Sequence, residues 1–271
     1  WPLPLVGGKK QVPASDDGTI RVMVMMSDTG GGHRASAEAL SDAFAQLYGN
    51  KFKVSIVDMW KNHTPWPVNT IGDSYNFLVK HSFLWRMQFR ITEPSFIHKP
   101  WLGMMHQLSK KKLSQAFDEH KPHIVVSVHP AMQHVPLNVL RSRVRAGLQK
   151  PIPFTTVVTD LTECHPTWFH PNVTACFVPT EVCRNQALRL GLKNSQLIMH
   201  GLPIRPQFSQ KLPPKWFLRK QLGMDQRAFT VMLAGGGEGM GNLEETVVAL
   251  SKRLGKEAQV VVICGRNKKL K

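Results

Sequence analysis

Two copies of one pattern, a buried strand followed by a glycine-rich turn and an amphipathic helix, constrain the fold of this chain most. In the first copy, an apolar strand pattern at residues 19–27 leads into the turn TGGGH at 29–33, and apolar residues then recur at helical spacing. In the second copy, residues 230–234 lead into the loop GGGEGMG at 235–241 and another helical pattern. The two copies predict two Rossmann-like α/β domains with parallel sheets.

Short apolar runs predict six further strands, at residues 53–57, 123–128, 154–159, 175–178, 196–199 and 259–265. Polar residues follow several of these runs, namely Asp58, His129, Asp160 and His200. In an open parallel sheet, ligands bind beyond the carboxyl ends of the strands, so these side chains are candidates to line a cleft. Strands also end in polar loops when no ligand is bound, and the sequence leaves that alternative open.

The pattern divides the chain into four segments. Residues 1–19 are an N-terminal tail, 20–202 form the first domain, 203–214 are a proline-rich linker, and 215–271 begin the second domain. A domain normally needs on the order of 100 residues or more. We therefore expect the second domain to be incomplete.

The formal net charge is +17, which attracts nucleic acid, an anionic bilayer surface or a phosphorylated substrate. Charge alone does not choose among these partners. The four cysteines lack the spacing of a disulfide framework and are expected to be reduced thiols in a non-secretory compartment. Apolar runs of roughly 20 residues, the length that spans a bilayer, do not occur in the sequence.

The glycine-rich loops are consistent with phosphate binding, because a helix N-terminus offers backbone N–H groups and a favourable dipole to an anion. Neither loop has the spacing of a Walker loop, and TGGGH also lacks the dinucleotide fingerprint, so a tight turn without a ligand is an equal alternative. The helix dipole would favour the neutral form of His33, which suits a general base. A capping or solvent-facing histidine is the competing interpretation.

Cys164, His165, His170 and Cys176 raise the question of a zinc site. Their intervals do not match the usual spacing of zinc ligands, and prolines interrupt the segment. We expect no metal there.

Residues 60–112 combine tryptophans and phenylalanines with lysines and arginines. This mixture is typical of a surface that lies on anionic lipid. Core aromatics beneath a solvated basic face would give the same composition, and so would a platform for single-stranded nucleic acid. Since no RRM, KH or other nucleic-acid motif is present, we do not expect nucleic acid as a partner.

Several long segments resemble the plant and algal monogalactosyldiacylglycerol synthases, which are relatives of the bacterial MurG-type transferases with the GT-B fold. The matching motifs include TGGGH at 29–33, HTPWP at 63–67, HPTWF at 165–169, GGGEGMG at 235–241 and CGRN at 264–267. The similarity extends over nearly everything after residue 19.

The resemblance implies a GT-B enzyme that transfers galactose from UDP-galactose to 1,2-diacylglycerol with inversion, without a cofactor or a metal at the sugar diphosphate. It implies monotopic contact with the chloroplast envelope and with anionic lipids such as phosphatidylglycerol and phosphatidic acid, and it leaves a homodimer open. Two alternatives remain: a different UDP-sugar lipid glycosyltransferase, or a non-catalytic lipid- or nucleotide-binding module, since the second domain is expected to be incomplete.

The resemblance also assigns roles to particular residues. His33 is implied as the base that takes the acceptor proton, close to the donor phosphates. The residues implied in UDP binding are His33, Gly235, Gly236, Gly237, Glu238, Gly239 and Arg266. Trp66 and Pro67 are implied in binding an activating anionic lipid, and Trp168 is implied at the acceptor side.

Overall fold

The computed structural model describes residues 15, 17–28, 31–66, 68–70, 72, 81–237, 239 and 241–271. The chain divides into two compact units, Trp1–Pro206 and Gln207–Lys271, and each is described by itself. Within the described residues the strands are β1 (Ile20–Met26), β2 (Phe52–Asp58), β3 (Ile124–Ser127), β4 (Phe154–Val157), β5 (Ala175–Val178), β6 (Leu197–Met199), β7 (Phe229–Ala234) and β8 (Ala258–Ile263). The helices are α1 (Gly31–Tyr48), α2 (Met59–His63), α3 (Ser82–Thr92), α4 (Ser95–His120), α5 (His134–Arg145), α6 (Glu181–Arg189), α7 (Lys215–Gln221) and α8 (Leu243–Arg253).

The first unit is built on a six-stranded sheet with the order β2-β1-β3-β4-β5-β6, and every neighbouring pair is parallel. The predicted strands are confirmed, with ends that differ by at most two residues, as for 259–265 against Ala258–Ile263. The α/β class with parallel sheets is likewise confirmed.

Both faces of this sheet are buried, and β1 shows why its sequence is a nearly continuous apolar run. Successive side chains of a strand point to opposite faces. Val22 and Val24 therefore join one apolar cluster, while Met23 and Met25 join the other. A parallel strand covered on both sides needs apolar residues at nearly every position, and β1 is apolar everywhere except at Arg21.

Helices cover the two faces of the sheet. On one face, α1 contributes the buried Ala37. On the other face, α4 contributes Leu113 and Phe117, and α5 and α6 add further apolar side chains. The result is a three-layer arrangement that holds the loops at the carboxyl ends of the strands on a rigid base.

The second unit contains a parallel pair, β7 and β8, together with α7 and α8. The chain passes through a 3₁₀ turn at Pro206–Ser209 before α7 begins. In sequence, the glycine-rich loop lies between β7 and α8, which is the strand-loop-helix order that the pattern predicts.

Candidate active site

The strand order of the first unit reverses between β1 and β3. The chain moves from β1 to β2 on one side and later adds β3 on the other side of β1. In open α/β sheets this topological switch point opens a crevice at the carboxyl ends of the strands, because the two connections leave in opposite directions. The start of α1, whose first turn contains His33, lies at this point. Val128 and His129 follow β3 at the same edge.

His33 lies in the first turn of α1 and is held by a contact with the end of β3. Its Nδ1 atom is 2.8 Å from the carbonyl oxygen of Val128, and Thr159 Oγ1 lies 3.3 Å from the same nitrogen. Because a carbonyl oxygen can only accept, Nδ1 must carry the proton that it donates. In a neutral ring the lone pair then resides on Nε2, which is the form a general base requires.

The environment of His33 favours that neutral ring. Burial lowers the pKa of His33 below its ordinary value of 6.5, and the hydrogen bond to Val128 and the charge of Asp160 oppose this shift only in part. The imidazole is therefore unprotonated and able to accept a proton near neutral pH. A Cβ atom added at the neighbouring Gly32 would meet no atom within 4 Å, so there is open space beside this turn.

His129 packs directly against His33. The two ring centroids are 4.4 Å apart, and His129 Nδ1 accepts a hydrogen bond from the backbone N–H of Ala131 at 3.2 Å. Burial and the proximity of His33 hold the pKa of His129 well below its ordinary range. His129 is thus a neutral ring that lines the site and adds no second charge.

Trp168 and Asp160 complete the surroundings of His33 within this unit. The indole Nε1–H of Trp168 donates to Asp160 Oδ2 at 2.7 Å, and its ring centroid is 6.1 Å from that of His33. The side chain of Trp168 is fully buried. The carboxylate of Asp160 therefore fixes the indole beside the imidazole.

The other polar residues at the strand ends have different partners. Asp58 accepts hydrogen bonds from the backbone N–H groups of Asp28 and Lys61, both at 3.0 Å, and so joins the β1–α1 turn to the start of α2. His200 is exposed at the end of β6 and stacks on Phe177. Of the four strand-end residues, His129 and Asp160 are the two that surround His33.

The predicted UDP-binding residues of the second unit lie close together, as far as the structure describes them. The backbone N–H of Arg266 donates to the carbonyl of Gly237 at 2.8 Å, and Gly235 N–H is 3.4 Å from the carbonyl of Ile263. Gly239 has a φ of 60°, and a Cβ there would overlap the carbonyl oxygen of Cys264, so only glycine fits this close approach. Hydrogen bonds between backbone groups thus join the glycine-rich loop to the end of β8 and the turn that follows it.

Two of the predicted site residues, Pro67 and Glu238, lie outside the described residues. Trp66, just before Pro67, is 79% exposed. Gly236, between Gly235 and Gly237, has a φ of 67° and is exposed at the loop.

Among the residues considered for zinc, the two cysteines lie near Cys183, whereas the two histidines lie near His134. Cys164 Sγ is 3.3 Å from Cys183 Sγ, and the rings of His170 and His134 are 4.8 Å apart. His165 Nδ1 is 2.8 Å from the hydroxyl of Thr167. The cysteines at 164 and 183 are buried thiols.

The segment rich in aromatic and basic residues divides between core and surface. Trp60 is buried against the sheet, as the core interpretation predicts. Phe83 and Phe96, by contrast, are 74% and 77% exposed on α3 and α4. The exposed bases Arg86, Arg90 and Lys99 belong to the same two helices. Within the part of the chain that the structure describes, none of the helices combines the length and apolar character of a membrane span.

Two groups that hold His33, the carbonyl of Val128 and the hydroxyl of Thr159, were not identified from the sequence. Thr159 is the last residue of a predicted strand run, so its place at the carboxyl edge was a usable signal. The Val128 carbonyl had no such signal, because every residue carries the same backbone group.

Comparisons with known proteins agree with the resemblance. The sequence profile of the family described as monogalactosyldiacylglycerol (MGDG) synthase matches residues 33–204. A probable monogalactosyldiacylglycerol synthase, chloroplastic, of Nicotiana tabacum is 51% identical over 92% of this chain and 47% of its own length. Monogalactosyldiacylglycerol synthase 1, chloroplastic, of Arabidopsis thaliana is 50% identical over 92% of this chain and 48% of its own length.

Among solved structures, MurG of Acinetobacter baumannii aligns with a TM-score of 0.48 at 14% identity, covering 92% of this chain and 60% of that protein. The chain spans about half the length of the curated relatives that it matches. The family profile covers more than half of the chain, and the sequence identity to these relatives extends through both units. The chain therefore belongs to the monogalactosyldiacylglycerol synthase family.

Proposed function

We propose that this protein takes part in the synthesis of a galactolipid, by transfer of galactose from UDP-galactose to the free hydroxyl of 1,2-diacylglycerol with inversion. The hydroxyl oxygen attacks the anomeric carbon of galactose, and the bond between that carbon and the UDP oxygen breaks. The hydroxyl proton passes to Nε2 of His33, and UDP leaves with the electron pair. The overall enzyme would be of the GT-B type.

The observation that carries this proposal is the hydrogen bond between His33 Nδ1 and the Val128 carbonyl at 2.8 Å. It supports an imidazole whose Nε2 is a proton acceptor, in the loop motif that the family shares. The lowered pKa of His33 keeps that acceptor available near neutral pH. A histidine that served only to cap α1 would not need its ring nitrogen bound to the residue that follows β3.

In the second unit, we assign the glycine-rich loop and Arg266 to the diphosphate of the donor. A guanidinium can bind phosphate oxygens through two parallel hydrogen bonds, and glycines let backbone N–H groups come close to an anion. The contact between the Arg266 N–H and the Gly237 carbonyl supports a shared role for these two segments. Glu238 belongs to the same proposed set.

The reaction can be tested in a chimaera, because the chain spans about half the length of its relatives. This chain would replace the matching segment of the Nicotiana tabacum relative, and hexose transfer to diacylglycerol would be measured with UDP-galactose and with UDP-glucose. We expect galactolipid as the main product. Glucolipid as the main product would contradict the donor assignment, and a folded chimaera that binds diacylglycerol vesicles without transfer would favour a binding module.

We also assign the exposed aromatic and basic residues of α3 and α4 to an anionic membrane surface, with the chloroplast envelope as the proposed location. Aromatic side chains enter the interface while lysines and arginines attract acidic headgroups. Trp66 and Pro67 are assigned to an activating anionic lipid, and Trp168 to the acceptor side. The chloroplastic relatives support the location, and the sequence leaves a homodimer open.

Membrane binding can be tested by sedimentation with vesicles. We expect the chain to bind vesicles that contain phosphatidylglycerol or phosphatidic acid, and to bind less at high salt, because ions screen the attraction. The double variant Phe83→Ser/Phe96→Ser should lower the bound fraction several-fold. Leu47→Ser is a matched control, since Leu47 is 72% exposed on α1. Equal binding to zwitterionic and anionic vesicles would contradict the assignment.

A further inference from the structure

Three side chains of metal-ligating types meet where two helices end. His63 is the last residue of α2, and Glu119 and His120 are the last two residues of α4. One ligand atom from each of the three lies within 4.8 Å of the others. The imidazole rings of His63 and His120 are nearly perpendicular, with centroids 5.9 Å apart.

We propose that His63, Glu119 and His120 bind a zinc ion that links the end of α2 to the end of α4. Two imidazoles and one carboxylate are a ligand set that zinc uses with a water molecule in the fourth position. The imidazoles disfavour magnesium and calcium, which prefer oxygen ligands.

The geometry requires only a small adjustment. Zinc bonds of about 2.0–2.1 Å in a tetrahedral site place ligand atoms about 3.3 Å apart. Glu119 is exposed and both histidines are half-buried, so the carboxylate can rotate toward a site that the two rings define. The burial of the imidazoles limits their motion, which fixes the direction from which the metal is bound.

The electrostatics also favour a cation at this position. The C-terminus of a helix carries partial negative charge, and here the C-termini of α2 and α4 lie together. The carboxylates of Glu119 and Asp58 lie near His63 and attract a cation, whereas Lys112 and a protonated His120 would repel one.

A zinc ion at this position would stabilise α2, which is too short to be stable without tertiary contacts. Asp58 already joins its first turn to the β1–α1 turn. A zinc ion at His63 would fix its last turn to α4, directly before residues 64–66. The inference does not depend on the proposed galactose transfer, since zinc binding is measured without substrate.

The test is a zinc titration of the 271-residue chain against a chromophoric chelator, with the thiols kept reduced by a phosphine. We expect one tight equivalent of zinc. His63→Ala and His120→Ala should each lower the zinc affinity at least tenfold. Even the loss of a group that only hydrogen-bonds to a metal ligand lowers metal affinity about 10–100-fold. Glu119→Gln, at an exposed position, should weaken binding without disturbing the fold, and circular dichroism would verify the fold of every variant. His200→Ala is the matched control and should bind zinc as the unmodified chain does.

X-ray absorption at the zinc edge distinguishes this site from the buried thiols. We expect nitrogen and oxygen neighbours at about 2.0–2.1 Å. Sulfur neighbours at about 2.3 Å would place the zinc at Cys164 and Cys183 and overturn the proposal. Unchanged affinity in His63→Ala and His120→Ala, or no tight equivalent at all, would also overturn it.

Discussion

Replacing His33 with alanine should lower galactose transfer in the chimaera by roughly 10²–10⁴-fold, the range that a positioned general base contributes. The substitution removes the nitrogen that would take the acceptor proton, so the hydroxyl oxygen would have to attack while still protonated. Binding to diacylglycerol vesicles should be unchanged, because the exposed aromatic and basic side chains of α3 and α4 are unaltered. Initial rates at saturating UDP-galactose measure the loss.

Chemical rescue separates a catalytic His33 from a structural one. His33→Ala leaves space for a small base beside the Val128 carbonyl, so added imidazole should restore part of the lost rate in a concentration-dependent way. His200→Ala, which alters an exposed histidine, should keep the unmodified rate. If His33→Ala transfers galactose as fast as the unmodified protein, the assignment of His33 as the base is wrong.

The hydroxyl of Thr159 lies 3.3 Å from His33 Nδ1. Thr159 and the Val128 carbonyl both contact the nitrogen that faces the protein, so they set the orientation of the ring. In the proposed mechanism they would not take part in the proton transfer at Nε2. The distinction between a base and its supports therefore follows from which ring nitrogen each group contacts.

The fold of the first unit was largely predictable, because buried parallel strands need continuous apolar runs. β1 and β5 show this directly, since each predicted run lies within a residue of the strand. His33 was also predictable, because a glycine-rich turn between a strand and a helix determines where the next side chain lies. Its position at the start of α1 follows from local sequence alone.

Other parts of the site depend on tertiary packing that the local sequence does not encode. Trp60 and Trp66 lie in one segment of mixed aromatic and basic composition, but Trp60 is buried and Trp66 is 79% exposed. The difference arises because Trp60 lies on α2 and faces the core, whereas Trp66 follows the helix. The contacts of His33 with Val128 and Trp168 join distant parts of the chain, so only the folded structure reveals them.

Two pairs of buried or half-buried histidines form a further feature that spacing in the sequence did not indicate. His134 packs on His170, and His98 lies 6.1 Å from His165 between ring centroids. Burial lowers the pKa of His134 to about 3, and the pKa values of His165 and His170 to about 4. Neighbouring rings reinforce the shifts of His134 and His165, and the charge of Arg141 reinforces that of His170, because a nearby positive charge repels a protonated imidazole.

We expect His134, His165 and His170 to make the first unit sensitive to acid at a pH where most proteins are still stable. In the unfolded chain they take up protons near pH 6.5, whereas in the folded chain they stay neutral down to about pH 4 or below. The unfolded state therefore binds more protons in this window, and the free energy of unfolding falls as the pH is lowered. The loss should be on the order of 1 kcal/mol per pH unit for each histidine.

Urea unfolding at pH 7.5, 6.0 and 5.0 measures this loss, with far-UV circular dichroism as the signal. Carboxylates whose pKa is lowered, such as Asp118 beside Arg143, take up protons only below about pH 4. They therefore do not change the free energy of unfolding between pH 7.5 and 5.0. His170→Gln should make the dependence on pH shallower by about one proton, even if it also lowers stability at pH 7.5. His200→Gln, at an exposed position, should leave the slope unchanged. An equal free energy of unfolding at pH 7.5 and 5.0 would contradict this prediction. It would mean that the rings of His134, His165 and His170 are accessible to water in the folded protein.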